Sequence, residues 1–205
     1  MNIAIIGTGN VGGALATKWG FKGHQINLGV RDTTNFKGKA LLKNLNTTVF
    51  PILEAVEKSE IILLATPAMM AVEVTKSLGK TSGKIIIDSM NIIRGNGPEG
   101  FSNTADAILA NTATEDVVKC FNTTGFNNIS DTKYGKYSVD MFMAGNSEKS
   151  KAIAQQLALD AGFEACYDIG GNDKFQLMEQ FAWFWINLAM VQGEGREMAF
   201  KLLKR

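Results

Sequence analysis

The sequence predicts an α/β protein built on a doubly wound, mostly parallel sheet, with a short C-terminal helical extension. Three observations lead there. Short apolar runs recur at 2–6, 25–30, 61–65, 84–87, 117–121 and 141–144, each closed by Gly, Asn, Asp or Pro, as buried strands are. Helical patterns separate several of them, at 11–19, 51–58, 68–78 and 147–161. A glycine-rich stretch, Gly7-Thr8-Gly9-Asn10-Val11-Gly12, follows the first run and opens the first helical pattern. Alternation of strand and helix through residue 145 argues for a parallel sheet covered on both faces.

Each element has a local reason. The run at 2–6 stops at Gly7. Pro51 suits the first helical position of 51–58, where its missing N–H is no loss. Asn146 or Ser147 can cap the helix at 147–161. A further strand is expected near 163–169 and a final helix from about Asn172. Gly95 to Asn103, with Gly95, Gly97, Pro98 and Gly100, reads as the longest loop. The expectation is one domain over 1–205, with a dinucleotide-binding core at 1–145 and a small C-terminal part at 146–205.

Composition narrows the function. The chain has 205 residues, of which 45% are hydrophobic and 20% charged, a globular balance. Lys plus Arg total 21 against 20 for Asp plus Glu, so there is no basic excess for nucleic acid. The N-terminus lacks a basic region followed by a long apolar one, and the most apolar stretch, 181–191, is interrupted by Asn187. No membrane partner is expected. Cys120 and Cys166 lie far apart in sequence and fit no CxxC pattern, which favours free thiols and a cytoplasmic setting. With His24 the only histidine, no metal site is expected.

The glycine stretch matches G-x-G-x-x-G, the fingerprint of a Rossmann-type dinucleotide site when strand and helix flank it. Gly7 would permit the tight turn, Gly9 a close approach of pyrophosphate, and Gly12 close packing of helix on strand. Backbone N–H groups at the start of the helix would face the phosphates. An NAD site usually carries an acid at the end of the second strand. Here the residues are Gly29-Val30-Arg31-Asp32. A small residue would leave room for a 2′-phosphate and Arg31 would pair with it, so NADP(H) is expected over NAD. Thr33, Thr34 and Asn35 could add contacts. The competing possibility is that Arg31 is a solvated loop residue paired with Asp32. His24 falls in the loop before the second strand, at the edge opposite the ligand, so a packing role is expected.

What is missing constrains the chemistry. No histidine is available as a proton donor, and no Tyr-x-x-x-Lys pair occurs. Hydride transfer to a flavin or deazaflavin ring needs no enzyme acid, and the protein then supplies orientation and a dry, flat pocket. Strand ends at Ala65-Thr66-Pro67-Ala68-Met69, Asp88-Ser89-Met90-Asn91 and Phe121-Asn122-Thr123-Thr124-Gly125-Phe126 offer small, amide and soft apolar groups for such a pocket. The last helix carries Phe175, Phe181, Trp183, Phe184 and Trp185 around much of its circumference. It is expected to be core, buried on several sides, with a dimer interface or a pocket wall as alternatives.

These residues resemble the coenzyme F420-dependent NADP oxidoreductase family. The likeness rests on Ile5 to Gly12, Gly23-His24, Gly29 to Asp32, Ala65-Thr66-Pro67, Lys84 to Asn91, Val118 to Gly125, Trp185 to Ala189 and Phe200 to Leu203. The resemblance implies a Rossmann-type domain, often dimeric, exchanging hydride between NADP(H) and the deazaflavin coenzyme F420. It implies Thr8 to Val11 on the pyrophosphate, Val30 and Arg31 on the 2′-phosphate, and Ala65, Met90, Asn91 and Gly125 near the nicotinamide. Two positions depart: Val30 stands where Ser or Thr is common, and Ala68 where an aromatic is common. Similar domains serve flavin-dependent ferric reduction, so FMN or FAD is an alternative co-substrate. A reductase of a small imine or carbonyl, or a non-catalytic NADP-binding module, are further alternatives.

Overall fold

The computed structural model describes residues 1–205. Eight strands form one sheet: β1 (Asn2–Ile6), β2 (Gln25–Val30), β3 (Thr47–Pro51), β4 (Ile61–Leu64), β5 (Ile85–Asp88), β6 (Val117–Cys120), and the later β9 (Met141–Ala144) and β10 (Cys166–Asp168). A small antiparallel hairpin, β7 (Lys133–Tyr134) and β8 (Tyr137–Ser138), stands apart. The helices are α1 (Asn10–Phe21), α2 (Ile52–Glu57), α3 (Ala71–Ser77), α4 (Thr104–Asn111), α5 (Phe126–Ser130), α6 (Glu148–Ala161) and α7 (Phe175–Ile186).

The sheet order is β10-β9-β6-β5-β4-β1-β2-β3. All neighbours are parallel except β6 and β9, so β9 and β10 run against the rest. The order reverses at β1, between β4 and β2. Ligands of such sheets bind outside the strand C-termini at this switch point. Ile3, Ile5, Leu28 and Val118 pack with Leu15 and Trp19 of α1 and Leu157 of α6 on one face. Ala4, Ile62, Leu64 and Ile86 pack with Ala55, Ala71, Ile108 and Phe175 on the other. The two-sided covering explains why the strands are continuously apolar rather than alternating.

The structure adds elements that the sequence pattern hides. β3 runs through Thr47-Thr48-Val49-Phe50-Pro51, so Pro51 closes a strand and caps α2 instead of occupying its first turn. Its edge position tolerates proline and the exposed Thr48. α4 follows the long loop and is capped by Asn103, whose side chain accepts from the Asp106 N–H. Ser147 caps α6 by accepting from the Ser150 N–H. α7 buries a single stripe, Phe175, Met178, Glu179, Ala182 and Trp185, while Trp183 and Phe184 are exposed. The expected burial on several sides is therefore corrected: the aromatics fall on both faces, and only some meet the sheet. No helix is long and apolar enough to cross a membrane.

Candidate dinucleotide site

The loop after β1 needs its glycines for three different reasons. Gly7 has φ +106°, and a Cβ there would lie 2.4 Å from the Ala65 carbonyl oxygen. A Cβ on Gly12 would come within 2.0 Å of the Gly7 carbonyl oxygen, so α1 can approach β1 only over glycine. A Cβ on Gly9 would meet nothing within 4 Å. Gly9 borders open space at the start of α1, which has no side-chain cap and no acid in its first turn. An anion can take the free N–H groups there. A pyrophosphate thus fits the residues present.

Beside this loop lies a cleft of about 450 Å³. Gly7, Thr8, Val30, Arg31, Asn35, Thr66 and Pro67 of the predicted set line it, joined by Phe36, Lys37 and Met70. The segment after β2 is docked on the glycine loop. The Thr8 hydroxyl donates to the Lys37 carbonyl, and Gly38, at φ +92°, abuts the Thr8 carbonyl. Asp32 does not pair with Arg31. Its Oδ1 accepts from the Thr34 hydroxyl at 2.7 Å, the Thr34 N–H at 2.8 Å and the Asn35 N–H at 3.1 Å. The Thr34 hydroxyl first, then these two N–H groups, holds the carboxyl below its usual range. This leaves the exposed Arg31 guanidinium without a partner, and Lys37 adds a second cation to the cleft.

Two expectations are corrected. Gly29 borders the cleft, but its smallness serves packing: a Cβ there would point inward, 2.3 Å from Ile6 Cδ1 and 3.2 Å from Ala55 Cβ. Glycine is required there because α2 lies close on the sheet. The Thr34 hydroxyl is engaged by Asp32 rather than free for a phosphate.

Met90, Asn91, Asn122 and Gly125 gather at the ends of β5 and β6, outside the first cleft. Asn91 Nδ2 donates to the Asn122 carbonyl, and Asn122 Nδ2 donates to Asn91 Oδ1, each at 2.9 Å. The Thr66 hydroxyl lies 3.2 Å from Met90 Sδ, joining this group to the cleft. Phe121, fully buried against Trp19 and Phe163, has φ +63°, an uncommon conformation for an aromatic residue that turns the chain after β6. Gly125 lies beneath the Trp185 ring, with its would-be Cβ 2.5 Å from Cη2. Trp185 Nε1 donates to the Met198 carbonyl, and Asn128 Nδ2 donates to the same oxygen. α7 and the C-terminal segment therefore wall this end of the crevice.

Sequence reasoning missed an ionic cluster directly below. Lys119, fully buried, places Nζ 2.7 Å from Asp88 Oδ2, 2.8 Å from Glu179 Oε1 and 2.9 Å from the Met90 carbonyl oxygen. Asp88 Oδ1 accepts from the Met90 N–H, and Glu179 Oε2 accepts from the Ile92 N–H. The Thr104 hydroxyl donates to Asp88 Oδ2, and its N–H donates to Glu179 Oε1. The signal was present: a lysine inside the apolar run Val117-Val118-Lys119-Cys120 is out of place unless it is paired. His24 sits at the opposite edge, Nε2 2.9 Å from Asp160 Oδ2, in the expected packing role.

Fold and cleft together define a Rossmann-type dinucleotide-binding protein. Residues 2–92 match the sequence model of the family described as NADP oxidoreductase, coenzyme F420-dependent. The match falls on the dinucleotide-binding part of the chain, over residues that include those quoted for the resemblance from Ile5 to Asn91. In structure it is similar to a proposed F420-dependent NADP reductase of Arthrobacter sp. FB24, at 22% identity and TM-score 0.84, with 100% of each chain covered. It is also similar to the imine reductase of Streptomyces aurantiacus, at 15% identity and TM-score 0.70, covering 94% of this chain and 64% of that one. A reductive aminase of Aspergillus terreus, in complex with NADPH and ethyl levulinate, matches at 17% identity and TM-score 0.67, covering 94% and 62%. At these identities the likeness is one of fold.

Proposed function

We infer that this protein exchanges hydride between NADP(H) and a planar ring acceptor, a deazaflavin such as coenzyme F420 or a flavin. The single observation that carries the reading is the cleft beside the glycine loop. Arg31 stands unpaired there and Lys37 adds charge; of the two acids that line it, Asp32 is bound into its own turn and Glu73 stands on α3 across the cleft. That is a pocket for a phosphate on the ribose rather than for a hydroxyl. Gly7 to Gly12 would hold the pyrophosphate, and Arg31 with Lys37, Val30 and Asn35 the 2′-phosphate end. Ala65, Thr66, Pro67, Met90, Asn91, Asn122 and Gly125 would border the nicotinamide. The bound cofactor supplies the hydride chemistry.

The chain's own residues bind, orient and exclude water. The lysine nearest the nicotinamide end, Lys119, is fully buried with its ammonium surrounded by acceptors, so it cannot serve as a substrate's acid. This favours an acceptor protonated by solvent over a carbonyl. The imine reductases share the fold but extend well beyond the length matched here. A homodimer is part of the proposal, because Phe184 and Leu177 leave an apolar strip on α7 exposed. A cytoplasmic setting is proposed too, because both cysteines are free and buried.

The test follows NADPH absorbance with purified protein and coenzyme F420, FMN, FAD, a cyclic imine or no acceptor. Turnover with one ring acceptor supports the reading. Turnover only with the imine overturns it, and tight NADPH binding with no turnover points to a binding module.

A further inference from the structure

The cluster beneath Met90 and Asn91 has no place in the function just described, and its charge does not cancel. Lys119 contributes one positive charge, and Asp88 and Glu179 one negative charge each. Both carboxylates are ionised on hydrogen-bonding grounds. Each of their four oxygens accepts a hydrogen bond from an N–H, a hydroxyl or the ammonium, so neither needs a proton. Lys119 donates its three protons to Asp88 Oδ2, the Met90 carbonyl and the Thr104 hydroxyl, and Glu179 Oε1 adds an ion pair at 2.8 Å. A net unit of negative charge is thus buried, with Asp88 and Lys119 fully enclosed and Glu179 6% exposed. Arg94, which lines the groove outside Glu179, is exposed and its charge is screened by water.

The position matters as much as the charge. The cluster holds the Met90 N–H, the Met90 carbonyl and the Ile92 N–H, three backbone groups around Asn91. Asn91 in turn pairs with Asn122. An ion pair in so dry a place is a poor device for stability, since an apolar replacement often does as well. A role in the site is the better explanation.

We propose that Asp88, Lys119 and Glu179 are positioning residues that bias the site between the two redox states of its cofactor: they fix the 90–92 segment at the nicotinamide end and set a net negative charge below it. This rests on the NADP(H) reading above. The nicotinamide ring is cationic when oxidised and neutral when reduced, so a fixed negative charge binds the oxidised form more tightly. The two forms share adenosine, 2′-phosphate and pyrophosphate. Their affinity ratio therefore isolates the ring and cancels losses that a structural defect would impose on both.

The experiment measures Kd for NADP⁺ and NADPH separately by calorimetry, with no acceptor present, for the native chain, Glu179→Gln and Glu179→Asp. The native chain is expected to bind NADP⁺ at least as tightly as NADPH. For a unit charge about 10 Å away at an effective dielectric of about 20–40, Glu179→Gln should raise the ratio Kd(NADP⁺)/Kd(NADPH) by about four- to fifteenfold. Glu179→Asp keeps the charge and should leave the ratio unchanged while weakening both ligands. A ratio that Glu179→Gln leaves within twofold overturns the proposal, as does an equal shift in Glu179→Asp. If neither variant folds, the native ratio decides: a strong preference for NADPH overturns it. Failure of the native chain to bind either form overturns the NADP(H) reading, and with it this inference, which separates the two failures.

Discussion

Arg31→Ala isolates the feature that distinguishes NADPH from NADH. In the native cleft the guanidinium is exposed and pairs with nothing, because Asp32 is held by Thr34 and Asn35. Truncation therefore breaks no internal contact, and stability should stay within about 0.5 kcal/mol of native. The loss falls on the ligand. A hydrogen bond to a charged group is worth about 1.5–3 kcal/mol, so NADPH should bind about tenfold to somewhat over a hundredfold more weakly. NADH has no phosphate at that position and should change less than twofold. Lys37 remains, so the site keeps part of its preference, and Arg31→Ala with Lys37→Ala should remove most of it. Fluorescence titration of both cofactors at low and at physiological salt measures this. The native preference should shrink with salt, as solvent-exposed charge pairs do. Equal losses for NADPH and NADH in Arg31→Ala would refute the argument, since they would mean that Arg31 shapes the loop instead of reading the phosphate.

Three further outcomes follow from the geometry. Gly12→Ala places a Cβ 2.0 Å from the Gly7 carbonyl oxygen, so α1 must lift; overpacking of about 1–3 kcal/mol should lower Tm by about 2–12 °C, with NADPH binding lost in parallel. Burial pushes the Asp168 carboxyl up, but Lys151 and the Gly170 N–H outweigh it and hold it below its usual value; the Ser147 hydroxyl, with Lys149, does the same to Asp116 against its own burial. Their contribution is complete above the unfolded value of about 4 and lost as pH falls through the lower folded values, so urea stability should be level from about pH 7 to 5, fall below about pH 4, and fall less in Asp168→Asn. Cys120 and Cys166 bring Sγ atoms to 3.9 Å, yet they stand on β6 and β10 with β9 between, about 9–10 Å apart along the backbone spacing, beyond disulfide reach. Burial raises the Cys120 thiol well above its usual value, so a thiol reagent should find neither cysteine in the folded chain and both in denaturant, with no disulfide after mild oxidation.

Local patterns made much of this molecule legible. The glycine loop, the apolar parallel strands and the cation after β2 are short-range features, and a few adjacent residues suffice to specify each. Gly7 and Gly12 carry their reasons in their spacing, because strand, turn and helix there are contiguous. His24 was placed correctly for a similar reason, since the length of α1 carries the chain to the far edge of the sheet. One element weaker in pattern escaped, β3, an edge strand whose proline mimics a helix start; β9 and β10 were expected as strands, but their reversed direction is set by contacts that lie far apart in the chain.

Packing decided the rest. Gly29 reads as space for a ligand until α2 is laid over it, when Ile6 and Ala55 claim that space. Asp32 and Arg31 are adjacent in sequence and oppositely charged, yet the turn through Thr34 and Asn35 gives the carboxylate other partners. Asp88, Lys119 and Glu179 are separated by 31 and by 60 or more residues, and only the juxtaposition of β5, β6 and α7 makes one ionic cluster of them. Hydrophobic periodicity reports which residues leave water, and it carries no information about which buried charges meet. That depends on helix placement over the sheet, which the side chains of several distant elements settle together.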